Sequence, residues 1–229
     1  MADVLPCFAV QRVCYTHRVS QSDSDLGTRM ETFSSFILPI LGYLFGSLPF
    51  SVWVTRIAKG VDVRDAGSGH ATTTNTIRQA GFGWGALVAV LDVAKGLIPT
   101  LLAVRYSSET WVVVLTAALA VAGHCWPLFA QFRGGMGIAT FGGALLATNW
   151  ISAIVGLGLL LAFLFTIRHG ARASVLTGIL IAPLFWLLNL RGVEMWIALA
   201  CGFVMAYRFL IDWNRKYREL WLDREKPGS

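Results

Sequence analysis

FGWGALVAVLDVAKGLIPTLLAV, residues 82–104, is apolar along nearly its whole length and carries only two ionisable side chains, Asp92 and Lys95. A transmembrane helix needs about 20 consecutive, mostly apolar residues. Soluble proteins rarely contain such a run, because a segment this long and apolar is unfavourable in water. The stretch therefore predicts a helix that spans a lipid bilayer.

Similar apolar segments recur along the chain, which is 55% hydrophobic and 14% charged, with a mean hydropathy of +0.61. Soluble domains average about 25% charged residues. We predict an all-α integral membrane protein of about seven transmembrane helices, with glycine-rich cytoplasmic loops and broken helices forming the site. The fourth segment is short, and only Asn149 and Trp150 separate it from the fifth, so six spans remain open. The segments lie at about 33–57, 82–104, 110–131, 137–149, 150–167, 174–190 and 193–211, within a membrane domain over 33–211.

The two ends of the chain differ from this membrane domain. Residues 1–32 are polar, and their apolar stretch lacks the length and basic start of a signal peptide, which predicts a weakly ordered extension. Residues 212–229 are charged but contain Trp213, Tyr217 and Trp221, which predicts a solvated or interfacial helix.

Lys and Arg indicate the orientation of the spans. With seven spans and the N-terminus outside, most of these residues fall on the cytoplasmic side, as the positive-inside rule requires. We therefore predict an external N-terminus and a cytoplasmic C-terminus in the cell membrane. The net charge of +6 is interpreted as topology and lipid contact rather than nucleic-acid binding, because the basic residues flank apolar segments.

The four cysteines show no metal-ligand spacing, and nothing in the sequence indicates a metal, nucleotide or redox cofactor. Cys125 and Cys201 fall within or beside apolar segments and are predicted to be small core residues. Whether Cys7 and Cys14 pair remains open.

The first polar loop is unusual for a connector between two spans. Its centre, GSGHATTTNTIR at residues 67–78, combines glycines, hydroxyls, an Asn and an Arg. Glycines let a backbone turn and expose N–H groups, and an arginine can fork onto two phosphate oxygens. We interpret this loop as an anion or phosphate site, with an ordinary polar connector as the alternative.

Two further features break the apolar pattern. GHCWP at 123–127 and FRGGMGIAT at 132–140 place His124 and Arg133 beside glycines. His124 is either functional or a hydrogen-bonded structural residue, and Arg133 either binds an anion or anchors the chain at the interface. Asp92 and Lys95 lie on one face of a helix, where they either orient helices as a pair or contact substrate.

In these motifs the chain resembles the bacterial PlsY-type glycerol-3-phosphate acyltransferases, small membrane enzymes that use acyl phosphate as donor. The resemblance covers about residues 37–215 and keeps the order and spacing of five motifs. They are GSLP at 46–49, GVDVR at 60–64 leading into the 67–78 loop, DVAKG at 92–96, Gly123-His124 with Pro127, and 132–140.

The resemblance implies a reaction and roles. An acyl group would move from acyl phosphate to the 1-hydroxyl of glycerol 3-phosphate, giving lysophosphatidic acid and phosphate, with membrane lipids as surroundings and no cofactor. Arg78, Ser174 and His124 are the predicted catalytic residues. The predicted substrate-binding residues are Ser68, Gly69, Thr74, Asn75, Arg78, Lys95, Arg133, Gly134 and Gly135.

The chain also departs from the family pattern. An Asn and a Gly of the loop are His70 and Thr72 here, and a serine of the element that contains Ser174 is Ala171. The two lysines of the family's Phe-Lys-Gly-Gly-Lys-Gly element are Arg133 and Met136. Near the C-terminus, Phe209 and Asp212 replace a His and an Asn.

These departures keep other functions open. The leading hypothesis is an acyl-phosphate-dependent acyltransferase. One alternative, motivated by Met136, Phe209 and Asp212, is a family member that binds lipid or phosphate without turnover. Another is a small transporter that uses broken helices as its substrate site, although the sequence shows no inverted repeat.

Overall fold

The structure, a computed structural model, describes residues 35–214. In this part of the chain the secondary structure is helical throughout and contains no strand. Short 3₁₀ turns at Val63–Asp65 and Leu128–Ala130 lie in the two polar segments. The α-helices are α1 (35–46), α2 (Phe50–Lys59), α3 (Thr73–Ala80), α4 (Phe82–Tyr106), α5 (Thr110–Cys125), α6 (Ile138–Thr148), α7 (Trp150–Ile167), α8 (Gly170–Leu187) and α9 (Val193–Leu210).

Each of the seven predicted apolar segments forms helix, which confirms a multi-pass, all-helical membrane protein. Among the described residues, 6 helical segments are long and apolar enough to cross a bilayer. The fourth predicted segment corresponds to α6, whose 11 residues extend only about 16 Å at 1.5 Å per residue. The count of seven spans therefore stays a prediction.

The first span is a broken helix. α1 ends at residue 46, and α2 begins at Phe50 after Ser47, Leu48 and Pro49. Proline has no N–H and its ring clashes with the preceding turn, so it breaks the helical ladder here. The break turns the Leu48 carbonyl towards α4, where it accepts a hydrogen bond from Lys95 Nζ at 3.1 Å.

Small residues let the helices approach closely, as is common in membrane bundles. α4 packs along α6 and α8 along α9. Gly96 of α4 lies against the Thr140 carbonyl, and Gly143 of α6 lies against the Val93 carbonyl. The core between α5, α8 and α9 is apolar and contains both Cys125 and Cys201, each buried and unbridged, as predicted.

Adjacent glycines on α6 provide a test of this packing. In Gly143→Ala the new methyl group would meet the backbone of Val93 and Leu97, so we expect stability to fall by about 1–3 kcal/mol. Gly142→Ala is the matched control, because a Cβ there meets nothing within 4 Å, and it should be neutral or slightly stabilising. Thermal unfolding in detergent measures both, and equal effects would contradict the close α4–α6 contact.

The predicted N-terminal extension over 1–32, Cys7 and Cys14 lie outside the described residues. So does most of the predicted tail, of which the structure describes only residues 212–214, a turn that follows α9. These predictions are not tested.

Candidate active site

The first polar loop is anchored by an arginine fork. Arg64 donates from Nε and Nη2 to the two carboxylate oxygens of Asp62 at 2.9 and 2.7 Å, and from Nη1 to the Ala130 carbonyl at 2.8 Å. This fork lowers the pKa of the Asp62 carboxyl well below its usual range. The loop is thereby tied to the segment that links α5 and α6.

Asn75 organises the part of the loop before α3. Its side chain is fully buried, and its Nδ2 donates to the carbonyls of Val63, Ala66 and His70 at 2.7, 3.1 and 3.1 Å. Its Oδ1 accepts from the backbone N–H of Ser68 at 3.3 Å. The chain therefore curls around one amide side chain, which holds the Ser68 backbone in place.

The glycines of the loop permit this curl. Gly67 and Gly69 have φ angles of 62° and 67°, in the left-handed region that other residues adopt at a cost. A Cβ at Gly67 would also fall on Asn75 Oδ1. The Gly-Ser-Gly pattern thus serves loop geometry and presents the serine between the glycines.

Arg78 follows on α3, one turn after Thr74, and, like Ser68, it lines the cavity described below. Partial burial lowers the pKa of Arg78 from its usual value. An arginine remains protonated in proteins even so, because its reference pKa lies far above neutral. Arg78 therefore brings a permanent positive charge to the site.

A buried charged cluster lies between α4 and α5. Asp92 Oδ1 is 2.9 Å from Lys95 Nζ and 3.6 Å from His124 Nδ1, and all three side chains are almost completely buried. Lys95 Nζ also donates to the Leu48 carbonyl at the break in the first span. The lysine charge is thus already matched by Asp92, while Asp92 and His124 both reach the cavity described next.

A cavity of about 490 Å³ is lined by the first polar loop, by helices α3 to α9 and by the segment that precedes α6. Its lining contains two kinds of side chain, which we call the polar wall and the apolar wall. The polar wall comprises Ser68, His70, Thr72, Thr73, Thr74, Arg78, Asp92, His124 and Ser174. The apolar wall comprises Ala89, Met136, Ile138, Ala139, Leu164 and Phe209, with Gly137 and Gly170 completing the lining.

Such a cavity suits a molecule with an anionic head and an apolar tail. Arg78 and the hydroxyls can bind phosphate oxygens, while the apolar wall offers no polar partner. Among the described residues, no group of three His, Cys, Asp or Glu side chains is arranged to hold a metal ion.

The structure brings five of the predicted site residues together on the cavity wall. They are Ser68, Thr74, Arg78, His124 and Ser174. The C-terminal end of α9, from which Phe209 lines the cavity, was not predicted as part of the site. The sequence showed only that Phe209 and Asp212 depart from the family pattern.

The other predicted binding residues do not line the cavity. Gly69 and Asn75 shape the loop, and Lys95 pairs with Asp92. Gly134 and Gly135 pack beneath His124, whose carbonyl accepts from the Gly135 N–H at 3.0 Å. Arg133 is exposed, so its side chain lies outside the cavity wall. A direct role in substrate binding stays a prediction for these residues.

Three comparisons with known proteins point to the same family. The sequence model of the family described as glycerol-3-phosphate acyltransferase matches residues 36–219. A curated glycerol-3-phosphate acyltransferase of Rubrobacter xylanophilus is 46% identical over 54% of this chain and 60% of its own length. One from Thermotoga maritima is 39% identical over 52% of this chain and 61% of its own length, so these matches span about three fifths of the relatives.

Longer matches cover nearly whole relatives. The glycerol-3-phosphate acyltransferase of Aquifex aeolicus is 34% identical over 79% of this chain and 94% of its own length. The crystal structure of PlsY, an integral membrane glycerol 3-phosphate acyltransferase, in its glycerol 3-phosphate form has a TM-score of 0.71 and 32% identity, covering 82% of this chain and 94% of that chain. Its lysophosphatidic acid form has a TM-score of 0.70. The fold, the cavity and these matches together show that the chain belongs to the PlsY family of integral membrane glycerol-3-phosphate acyltransferases.

Proposed function

We propose that this protein moves a fatty acyl group from acyl phosphate to the 1-hydroxyl of glycerol 3-phosphate, giving lysophosphatidic acid and phosphate. The observation that carries the proposal is the mixed lining of the cavity, which combines Arg78 and a set of hydroxyls with apolar side chains. The solved relative has been obtained in a glycerol 3-phosphate form and a lysophosphatidic acid form. An acceptor and its acylated product differ by one apolar chain, so a site that takes both needs polar and apolar lining residues.

The polar wall suggests how the donor binds. Ser68, Thr74 and Arg78 all line the cavity, where they can hold the phosphate of the acyl phosphate. Hydrogen bonds between a guanidinium and a phosphate are charge-assisted, which makes them stronger than neutral ones. The acyl chain then extends along the wall formed by Met136, Ile138 and Leu164.

The transfer step needs an oxygen nucleophile and a place for its proton. The acceptor hydroxyl oxygen forms a bond to the acyl carbonyl carbon, and the bond from that carbon to the phosphate oxygen breaks. Ser174 lies on the cavity wall where it can contact the acceptor, and His124 can accept the hydroxyl proton. Asp92, 3.6 Å from His124 Nδ1, favours a proton on that nitrogen and leaves Nε2 as the base.

The reaction is tested on purified protein in detergent with palmitoyl phosphate and glycerol 3-phosphate. We expect phosphate and lysophosphatidic acid to appear in equal amounts. His124→Gln should lower kcat more than it raises KM, because the imidazole acts on the reacting hydroxyl. Donor binding without any product would contradict the proposal and favour a non-catalytic phosphate-binding protein. Phosphate release without lysophosphatidic acid would mean that another acceptor, or water, takes the acyl group.

The proposed site is cytoplasmic, in a bacterial inner membrane with the N-terminus outside. The excess of Lys and Arg in the segments predicted to be cytoplasmic supports that orientation. Ser107, in the α4–α5 connection, would then face outwards, and Gly60, after α2, would face the cytoplasm. In a background in which Cys7 and Cys14 are replaced by Ser, a membrane-impermeant thiol reagent on intact cells should label Ser107→Cys and leave Gly60→Cys unmodified. The reverse pattern would invert the topology.

A further inference from the structure

His70 joins the first polar loop to the far end of the chain. Its Nε2 is 2.8 Å from Asp212 Oδ2, and its Nδ1 is 3.3 Å from Arg208 Nη2. Arg208 also lies 3.6 Å from Asp212 and donates from Nε to the Gly135 carbonyl at 3.2 Å. These side chains are about nine-tenths buried. Three segments distant in sequence thus meet at one cluster.

The cluster assigns a tautomer to His70. A guanidinium only donates hydrogen bonds, so the Nδ1 that faces Arg208 must be the accepting nitrogen. The proton of the neutral ring then lies on Nε2, where it points to the Asp212 carboxylate. Each polar atom of the ring therefore has a complementary partner.

His70 also belongs to the loop that forms the polar wall. Its backbone N–H approaches the Ser68 hydroxyl at 3.4 Å, and its carbonyl accepts from Asn75 Nδ2 at 3.1 Å. Asn75 holds the loop from the α3 side, and the His70 side chain holds it from the α9 side. A small rotation of His70 would therefore move the Ser68 hydroxyl.

The same cluster also supports another part of the cavity lining. Arg208 fixes the Gly135 carbonyl, and Gly135 lies directly against the His124 ring, since a Cβ at this position would fall on Nε2. Phe209 and Met136, the neighbours of these two residues, both line the cavity. One set of contacts thus sets the spacing between the loop and the Gly135 backbone beneath His124.

We propose that His70, Asp212 and Arg208 form a brace that positions the phosphate-binding loop against the Gly135 backbone. His70 and Asp212 are positioning residues, since they act through Ser68 and through the wall that Gly135 forms. This inference rests on the proposed function in one respect, because it takes the loop as the binding site of the donor phosphate. It predicts that contacts of the His70 ring, remote from the transferred carbonyl, determine how tightly acyl phosphate binds.

The test is a double-mutant cycle on the equilibrium Kd of palmitoyl phosphate, measured without acceptor on purified protein. His70→Ala and Asp212→Ala should each weaken binding about tenfold, the size of one charge-assisted hydrogen bond. The double variant should bind about as tightly as His70→Ala alone, because either change already breaks the brace. Unchanged Kd values, or effects that add in the double variant, would overturn the proposal.

Conservative variants separate the two contacts of the ring and guard against misfolding. In His70→Gln the amide NH2 can take the place of Nε2 and donate to Asp212, but the Nδ1 position loses its acceptor. In His70→Asn the amide oxygen retains an acceptor near Nδ1, and the shorter side chain falls short of Asp212. We expect both to bind palmitoyl phosphate better than His70→Ala. His169→Asn is the matched control, because His169 caps α8 outside the cavity wall and Asn caps helices equally well.

Binding without acceptor also separates this inference from the proposed reaction. Wild-type protein that binds palmitoyl phosphate with the expected cycle but forms no lysophosphatidic acid would retain the brace and refute the acyltransferase activity. Formation of lysophosphatidic acid, together with additive effects of the two substitutions on Kd, would support the acyltransferase activity and refute the brace. Wild-type protein that does not bind palmitoyl phosphate at all would refute both.

Discussion

Arg78→Ala is expected to lower kcat/KM for acyl transfer by about two to three orders of magnitude, the range found when a preorganised charge-stabilising donor is removed from an active site. Among the described residues that line the cavity, Arg78 is the only Arg or Lys. Phosphate leaves as an anion, so the charge of Arg78 is needed most when the bond from the acyl carbon to the phosphate oxygen breaks. Steady-state kinetics with palmitoyl phosphate and glycerol 3-phosphate give the value directly.

Arg105→Ala is the matched control for this variant. Arg105 lies in the last turn of α4 and is exposed, far along that helix from Asp92, so its loss should leave kcat/KM unchanged. Arg78→Lys should recover only part of the activity, because an ammonium supplies the charge without the two-pronged geometry. Full activity in Arg78→Ala, in protein as stable as the wild type, would exclude this residue from phosphate binding.

The helices could be predicted from the sequence because lipid imposes strict rules. Every spanning segment must be apolar, long and internally hydrogen-bonded, so the apolar runs match the helices closely. The number of spans could not be predicted with equal certainty. α6 is too short to cross alone, and only Asn149 separates it from α7. Its position depends on close packing of Gly143 against α4, which hydropathy does not encode.

The polar loop could likewise be predicted as part of a candidate site, since glycines, hydroxyls and Arg78 lie close together in the sequence, and its Ser68, Thr74 and Arg78 line the cavity. The tertiary partners could not. His70 and Asp212 each depart from the family pattern, and Asp212 was one of the residues that motivated the alternative of a family member without turnover. The structure places the two side chains 2.8 Å apart, so the two departures accommodate one another. A contact between two residues so far apart in the sequence leaves no periodic pattern that a single sequence could reveal.

Asp92→Ala is expected to destabilise the protein by about 3–5 kcal/mol, the cost of removing one member of a buried ion pair. Lys95 would keep its hydrogen bond to the Leu48 carbonyl but lose the carboxylate 2.9 Å away, which leaves a buried charge uncompensated. Chemical or thermal unfolding in detergent measures the loss. A variant as stable as the wild type would show that water or lipid headgroups reach Lys95.

The double variant Asp92→Ala/Lys95→Met separates stability from chemistry at this cluster. Replacing both charges with apolar groups removes the uncompensated lysine, so most of the lost stability should return. Asp92 also lines the cavity and lies 3.6 Å from His124, a role that methionine at position 95 cannot restore. A stable double variant without turnover would therefore assign the pair a part in the chemistry, through the orientation of His124 by Asp92 or through substrate contact. A stable double variant with wild-type turnover would confine the Asp92–Lys95 pair to holding α4 against the break in the first span.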